Sequence, residues 1–338
     1  MAKLKYREAL RAALWEEMER DETVFCIGEG IGERGGSYKV TEGLIAEFGA
    51  GRVIDTPLSE AGFVGLGVGA AIAGQRPVVE MLFIDFLMLA MDQVVNQAAK
   101  YRFMSGGEGR VPLVIRTQGG AGNSLAGQHS QSLEALYYHI PGLKVVMPST
   151  PRDAKALLKA AIRDDDPVIF IEHKLLYMTD GEVPDEPYEI PLGEADIKRP
   201  GSDVTLVSWS HMVLKSLQAA EELAGEGISV EVIDLRTLVP MDVACILESV
   251  RRTGHLVIAQ EAIKRGGVGS DVAAIVVEQA FDSLRAPIVR VAGLNSVVPF
   301  NLGLEKATVP QVADIVAGVR SVLGRTAGNP SAEVTPVG

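Results

Sequence analysis

Residues 143–172, LKVVMPSTPRDAKALLKAAIRDDDPVIFIE, decide the fold. Two apolar runs, LKVVMP (143–148) and PVIFIE (167–172), flank a stretch of helical period, TPRDAKALLKAAIRDD (150–165). Thr150 stands where an N-cap belongs, and Pro151 takes the first helical position, where its missing N–H costs nothing. Each flanking run is almost wholly apolar, as in a strand buried on both faces. Strand, helix and strand in this order predict a parallel pair joined by a crossover helix.

The same alternation extends upstream. VFCIG (24–28), RVIDT (52–56), PVVEML (77–82) and PLVIRT (112–117) read as buried strands, and FLMLAMDQVVNQAAKYRF (86–103) reads as a long helix. The opening segment, MAKLKYREALRAALWEEMER, carries acids among its bases and no continuous apolar centre, so it predicts an amphipathic helix and not a targeting peptide. The texture changes at 180–202, DGEVPDEPYEIPLGEADIKRPGS, where four prolines interrupt any helical period and the stretch reads as an interdomain linker with some extended structure. A second series follows: DVTLVSW, a helix over 211–225, ISVEVID, a helix over 242–252, HLVIAQ, a helix over 268–282, PIVRVAG, and a last helix from about 309 to 323. The expected organisation is α/β throughout, with mostly parallel sheets covered by helices on both faces. One domain is expected over 1–185, a linker over 186–202, a second domain over 203–324 and a disordered tail over 325–338.

Composition narrows the function. The chain has 338 residues, 32 Lys and Arg against 44 Asp and Glu, and a formal charge of −12. Such a chain is a poor match for nucleic acid or an anionic membrane. Apolar residues make up 47% of it, enough for a large core, yet no apolar run reaches the length of a membrane span. The two cysteines, Cys26 and Cys245, exclude a disulfide scaffold and a C-x-x-C site. A cytoplasmic protein is expected. There is no P-loop, no G-x-S-x-G elbow and no H-E-x-x-H. Gly65-Leu-Gly67-Val-Gly69-Ala70 fits the dinucleotide pattern G-x-G-x-x-A, but it follows PLSEAGFV, which looks like a helix start. Close helix packing is the expected use of these glycines.

Several residues stand where chemistry is done. Glu60, in DTPLSEAGFVGLGVGAAIAG, follows a buried strand. It reads either as a first-turn acid favoured by the helix dipole, with Ser59 near the cap, or as a strand-end carboxylate with a tuned pKa. His129 lies in TQGGAGNSLAGQHSQS, a long polar loop between a strand and a helix, and reads as a proton shuttle or as a residue bonded to its own loop. His173, at another strand end, has the same two readings. Phe86 reads as core or as an aromatic surface for a flat heterocycle. IRDDDP (162–167) places three acids at a helix C-terminus against the dipole, a conflict that a cation on the helix-end carbonyls would relieve.

The blocks DTPLSEAGFVGLGVGAAIAG, MDQVVNQAAKYRFMSGG, AGQHSQSLEALYYHIPGLKVVMPSTPRDAKALLKAAIRDDDPVIFIEHKLLY and EVIDLRTLVPMD resemble the β subunit of the thiamin-diphosphate-dependent 2-oxo acid dehydrogenases, a family with pyruvate, branched-chain and acetoin members. The resemblance runs from about residue 4 to 323. It implies an N-terminal pyrimidine-binding domain, a C-terminal transketolase-like domain and an α2β2 heterotetramer. In the family, the α subunit holds the diphosphate and magnesium through G-D-G and N-N motifs. This chain has neither motif, so the resemblance leaves it the pyrimidine end of a shared site.

Carried over by motif, Glu60 matches the glutamate that protonates the pyrimidine ring nitrogen. Phe86 matches an aromatic position that packs on that ring, and Leu58 lies in the same contact segment. His129 matches a loop histidine that orients intermediates or relays protons during acyl transfer to a lipoyl group. Leu113, Ala161, Ile162, Asp164 and Asp166 resemble a structural potassium site. Leu89 departs from the glutamine of mammalian pyruvate enzymes, whereas the His129 loop and EHKLLYMTDGEVP look closest to the acetoin and bacterial pyruvate branches. The resemblance therefore implies pyruvate or acetoin cleavage, with the acyl group passed to a lipoyl acyltransferase core. A branched-chain β subunit and a non-catalytic assembly subunit are the alternatives.

Overall fold

A computed structural model describes residues 1–324. The tail read as disordered, 325–338, lies outside the described residues. The strands are β1 (Ala2–Lys5), β2 (Val24–Gly28), β3 (Val53–Asp55), β4 (Arg76–Met81), β5 (Val114–Gly119), β6 (Lys144–Val146) and β7 (Val168–His173). They continue with β8 (Asp180–Val183), β9 (Asp196–Arg199), β10 (Val204–Ser208), β11 (Val230–Asp234), β12 (Thr237–Val239), β13 (Leu256–Ile263) and β14 (Val289–Gly293).

One sheet has the order β12-β6-β7-β5-β4-β2-β3, parallel except for β12. A second has the order β14-β13-β10-β11-β9, parallel except for β9. All residues of β2, β5, β7, β10 and β11 are buried, which is why their sequences lack the alternation of a half-exposed strand. The helix that opens the argument, Pro151–Arg163, is capped as its sequence predicts: Thr150 Oγ1 accepts Asp153 N–H at 3.1 Å. It packs on the N-terminal helix Tyr6–Arg20, whose buried face carries Tyr6, Leu10, Leu14 and Met18.

Two features depart from the sequence reading, and the extended structure expected in 180–202 takes a definite form. The stretch 86–103 is helical but changes pitch twice, from a 3₁₀ turn (Phe86–Ala90) to a π-helix (Asp92–Ala98) to an α-helix (Ala99–Met104). The proline-rich stretch 180–202 contains two strands: β8 pairs with β1, and β9 is the antiparallel edge of the second sheet. Most notably, β12 leaves the second series and pairs with β6, so it closes the edge of the first sheet. The two sheets therefore share chain, and cross-bonds fasten them. Trp209 Nε1 donates to Glu134 at 3.3 Å, and Arg236 binds Asp153 at 3.2 Å.

The centre of the first sheet holds charge. Arg116 on β5 donates to Glu172 on β7 at 2.7 and 2.8 Å and to Glu80 on β4 at 2.8 Å, and all three are buried. Tyr177 Oη donates to Glu172 at 2.5 Å. Removing the shared cation leaves two carboxylates buried without it. Arg116→Met is expected to cost about 3–5 kcal/mol of stability, read from urea unfolding; a loss below about 1 kcal/mol would show that the network contributes little.

Candidate active site

The carboxyl ends of β3, β2, β4, β5 and β7 lie in that order along one edge of the first sheet. The chain leaves β2 towards β3 and β4 towards β5, in opposite directions. The crevice outside β2 and β4 is thus a topological switch point, where open α/β sheets bind ligands. Glu29 follows β2, Phe83 and Phe86 follow β4, the 120–133 loop follows β5, and His173 ends β7.

Glu60 is the first residue of the helix Glu60–Ile72, beyond β3. Ser59 occupies the N-cap but makes no side-chain cap bond, and Leu58 before it is 83% exposed. The carboxyl of Glu29 is pushed above its usual range, first by burial and then by the charge of Glu60. Its Oε1 is buried without a partner. A carboxyl raised by burial beside a second carboxyl is a common arrangement at sites that move protons. Glu29 was missed in the sequence because it reads as an ordinary acid in a glycine-rich turn.

His129 and Phe86 do meet. The His129 ring stands edge-on to Phe86 (5.1 Å between centroids) and Phe83 (5.0 Å), in one aromatic wall. Lys174, buried beside them, donates to the backbone carbonyl of His129 and lies over the Phe83 ring. Burial pulls the Lys174 ammonium down to about 8, against the charges of Asp85, Glu261 and Glu305. Lys174 is not legible from its position in the sequence, because a lysine after a strand is ordinarily solvated.

Those three acids also hold the loop. Asp85 accepts the Gln131 side chain at 2.8 Å, Glu261 accepts Ala121 N–H at 2.7 Å, and Glu305 accepts Gly122 N–H at 2.8 Å and Ser124 N–H at 2.9 Å. The loop backbone has positive φ at Gly120, Gly122, Ser124 and Ala126. Such turns aim successive N–H groups into a concavity that suits an anion. For Ser124 and Ala126 the conformation costs about 1–3 kcal/mol each, so the surroundings must hold it in place.

His173 has a different partner from the one its position suggests. Its Nδ1 accepts Leu175 N–H at 3.1 Å, which leaves the proton on Nε2, and Nε2 lies 2.9 Å from Glu261. His211 stacks on His173 with centroids 4.6 Å apart, its Nδ1 4.0 Å from the same carboxylate. These three side chains gather as metal ligands would. The fixed proton on Nε2 argues otherwise, because neither nitrogen of His173 has a free lone pair to give a metal. Burial raises the Glu261 carboxyl, but His173 and Ala121 N–H overcome it and hold the group down at about 2.

The residues of the expected cation site are brought together, and protein cations meet them. Arg76 Nη1 donates to the carbonyls of Ile162 (3.0 Å) and Asp164 (2.9 Å). Lys144 binds the Asp164 carboxylate at 2.6 Å, and Arg102 binds Asp166 at 2.6 Å. The carbonyl of Leu113 accepts Val168 N–H, and that of Ala161 accepts Asp164 N–H. Acids at a helix C-terminus are thus tolerated because basic side chains surround them. The G-x-G-x-x-A stretch lies inside the helix Glu60–Ile72, not at a strand-to-helix turn. A Cβ on Gly67 would come within 2.7 Å of Val79, so this glycine lets the helix lie on β4.

Comparison with known proteins now bears on the site. Residues 2–179 match the family model described as transketolase, pyrimidine binding domain, and 193–315 match transketolase, C-terminal domain. A pyruvate dehydrogenase E1 component subunit beta from Rhizobium meliloti (strain 1021) is 50% identical over 95% of this chain and 70% of its own length. The acetoin:2,6-dichlorophenolindophenol oxidoreductase subunit beta of Cupriavidus necator is 49% identical over 95% and 98%. The chain belongs to the E1 β-subunit family. The family depends on thiamin diphosphate, and its members are oxidoreductase subunits that work with an α subunit. The 2-oxoisovalerate dehydrogenase subunit beta of Bacillus subtilis is 45% identical over 95% and 99%. A solved split-gene transketolase, an inactive β4 tetramer, shares the fold at a TM-score of 0.78 and 24% identity, covering 95% of this chain and 98% of that one. Among the described residues of this β subunit, no helix is long and apolar enough to cross a membrane.

The His211 imidazole is pulled down to about 3 by burial and by His173, against Glu261. A histidine held neutral stabilises the fold fully above its unfolded pKa of 6.5 and loses that stability as pH falls through 6.5 towards 3. Glu261 acts with the same sign, but only below 4.5. Between pH 6.5 and 5, wild-type unfolding free energy is expected to fall more steeply than that of His211→Asn, by up to about 1.4 kcal/mol per pH unit. Parallel urea-unfolding curves would remove His211 from the account.

Proposed function

We propose that this chain is the β half of a thiamin-diphosphate-dependent E1 component that cleaves pyruvate or acetoin and passes a two-carbon acyl group to a lipoyl acyltransferase. The observation that carries the reading is the joining of Glu60 with Glu29, and of Phe86 with His129, at adjacent strand ends of one switch point. These residues fit the pyrimidine end of the cofactor. The aromatic wall offers a flat apolar surface, and an unpartnered buried carboxyl oxygen on Glu29 offers an acceptor. When bound, the cofactor supplies the carbon nucleophile and the electron sink.

The work of this chain's residues follows from their settings. Glu60 holds a proton at the ring nitrogen, and Glu29 beside it keeps its own proton more tightly because burial, and then the charge of Glu60, oppose its ionisation. Phe86 and Phe83 exclude water from one face. His129, its loop fastened and its ring wedged between two phenylalanines, presents a fixed ring nitrogen to the acyl acceptor. Magnesium and the diphosphate belong to the α subunit of an α2β2 assembly. The acidic chain, at −12, suits a basic binding segment on the acyltransferase core. The bacterial relatives support a cytoplasmic assembly.

In the reconstituted α2β2 enzyme, Glu60→Gln is expected to assemble normally and lose about 10²–10⁴-fold in turnover. Calorimetric titration of the cofactor with magnesium is expected to show binding to the mixture of chains and none to the β chain alone. Normal turnover of the variant would favour an assembly role, and tight binding by the β chain alone would end the half-site reading.

We also propose a potassium ion among the carbonyls of Leu113, Ala161, Ile162 and Asp164 with Asp166, where it would share two carbonyls with Arg76. Exchanging potassium for N-methylglucamine at constant ionic strength is expected to lower the Tm; an unchanged Tm argues for Arg76 alone.

A further inference from the structure

We propose that Glu305 is a positioning residue for the active-site loop, through which the C-terminal region controls acyl transfer at His129. The proposal rests on the reading of His129 given above.

Glu305 sits on a seven-residue helix, Leu302–Thr308, that its sequence does not announce. Asn301 fixes the start of this helix by accepting the N–H groups of Gly303 and Leu304. The Thr308 hydroxyl donates to the Glu305 carbonyl at 2.7 Å, which tightens its last turn. The Glu305 side chain is wholly buried, a costly place for a carboxylate unless its oxygens are met. Each oxygen accepts one backbone N–H of the loop, Oε1 from Gly122 and Oε2 from Ser124, 183 and 181 residues away in sequence. Lys174, which donates to the His129 carbonyl, lies within the field of the same carboxylate. Glu305 therefore holds the loop at one end of its strained stretch, and the Lys174 bond holds it at His129.

The other two acids at the loop have further duties. Glu261 is bound to His173, and Asp85 engages only the far side of the loop, at Gln131. Among the described residues, the Glu305 carboxylate accepts hydrogen bonds from these two loop amides alone, and it comes from the second half of the chain. A cleft of about 400 Å³ runs between Gly127, Ser130, Gln131, Ser132 and Leu133 of the loop and the 293–298 segment just before this helix. Movement of the helix would change the cleft and the loop together.

The test uses the reconstituted α2β2 enzyme carrying Glu305→Ala, Glu305→Gln or His129→Ala. Turnover is measured with 2,6-dichlorophenolindophenol and with a free lipoyl domain as acceptors, and amide exchange is followed in peptides covering 119–133. Glu305→Ala is expected to speed exchange in this loop about 10- to 100-fold, the scale of lost charge-assisted hydrogen bonds. Its lipoyl-dependent kcat is expected to fall up to about 10²-fold, the cost of a misplaced group, with a smaller loss in the dye assay. Glu305→Gln retains one acceptor and is expected to lie between wild type and Ala in both readouts, which guards against a folding failure in Ala. Unchanged loop exchange, or equal losses with both acceptors tracking a lowered Tm, would overturn the proposal. His129→Ala separates the two readings. If it leaves lipoyl-dependent turnover intact, the role of His129 fails, whereas loop exchange still decides whether Glu305 holds the loop.

Discussion

The buried Arg116 bridge constrains everything above it. Parallel strands that are apolar on both faces have little in their side chains to choose between neighbouring registers. A guanidinium on the central strand that must meet a carboxylate on each neighbour removes that freedom. Glu80 is the direct register partner of Arg116, and Glu172 lies two residues along β7 from its partner Phe170. Any slip would leave charge unpaired in the core. Since Phe83, the His129 loop and His173 follow these three strands by only a few residues, fixing the strands fixes the relative heights of the candidate groups.

The second constraint lies between the two sheets. Strand β12 crosses to complete the first sheet, Glu305 and Glu261 reach from the second half of the chain to the loop, and Trp209 binds Glu134. These contacts are polar and directional. They set orientation more than they add affinity, since each replaces a hydrogen bond to water. The candidate site is thus built by one sheet and held in shape by the other.

Much of this was legible in the sequence, for physical reasons. Long apolar runs and a capped crossover helix admit few arrangements, and position at a strand end marked Glu60 and His129. Distance along the chain hid the rest. Glu305 sits in a short helix too brief for a period to show, and β12 is three residues beside a proline, below the length at which a strand announces itself. Glu29 and Lys174 look like surface charges until the fold half-buries the first and buries the second. One sign was available and unread: PVVEML, PLVIRT and PVIFIE each carry a single charge inside an apolar run, two acids and one base. Buried strands rarely carry charge unless it is paired.

The surface beside the site follows from the same economy of covering. Leu58 precedes Glu60, and Met88 and Leu89 follow Phe86; all three side chains are exposed, Leu58 at 83%. Single exposed apolar residues need no explanation, but three on segments that border one crevice do. In the chain alone this surface is open to water, and burial with the charge of Glu60 already raises the Glu29 carboxyl. Covering the crevice with another chain removes that water, strengthens the repulsion between the two carboxyls and deepens the shift already evident in Glu29. The partner that completes the cofactor site would thus also tune the acid that serves it, which gives a physical reason for dividing one active site between two chains.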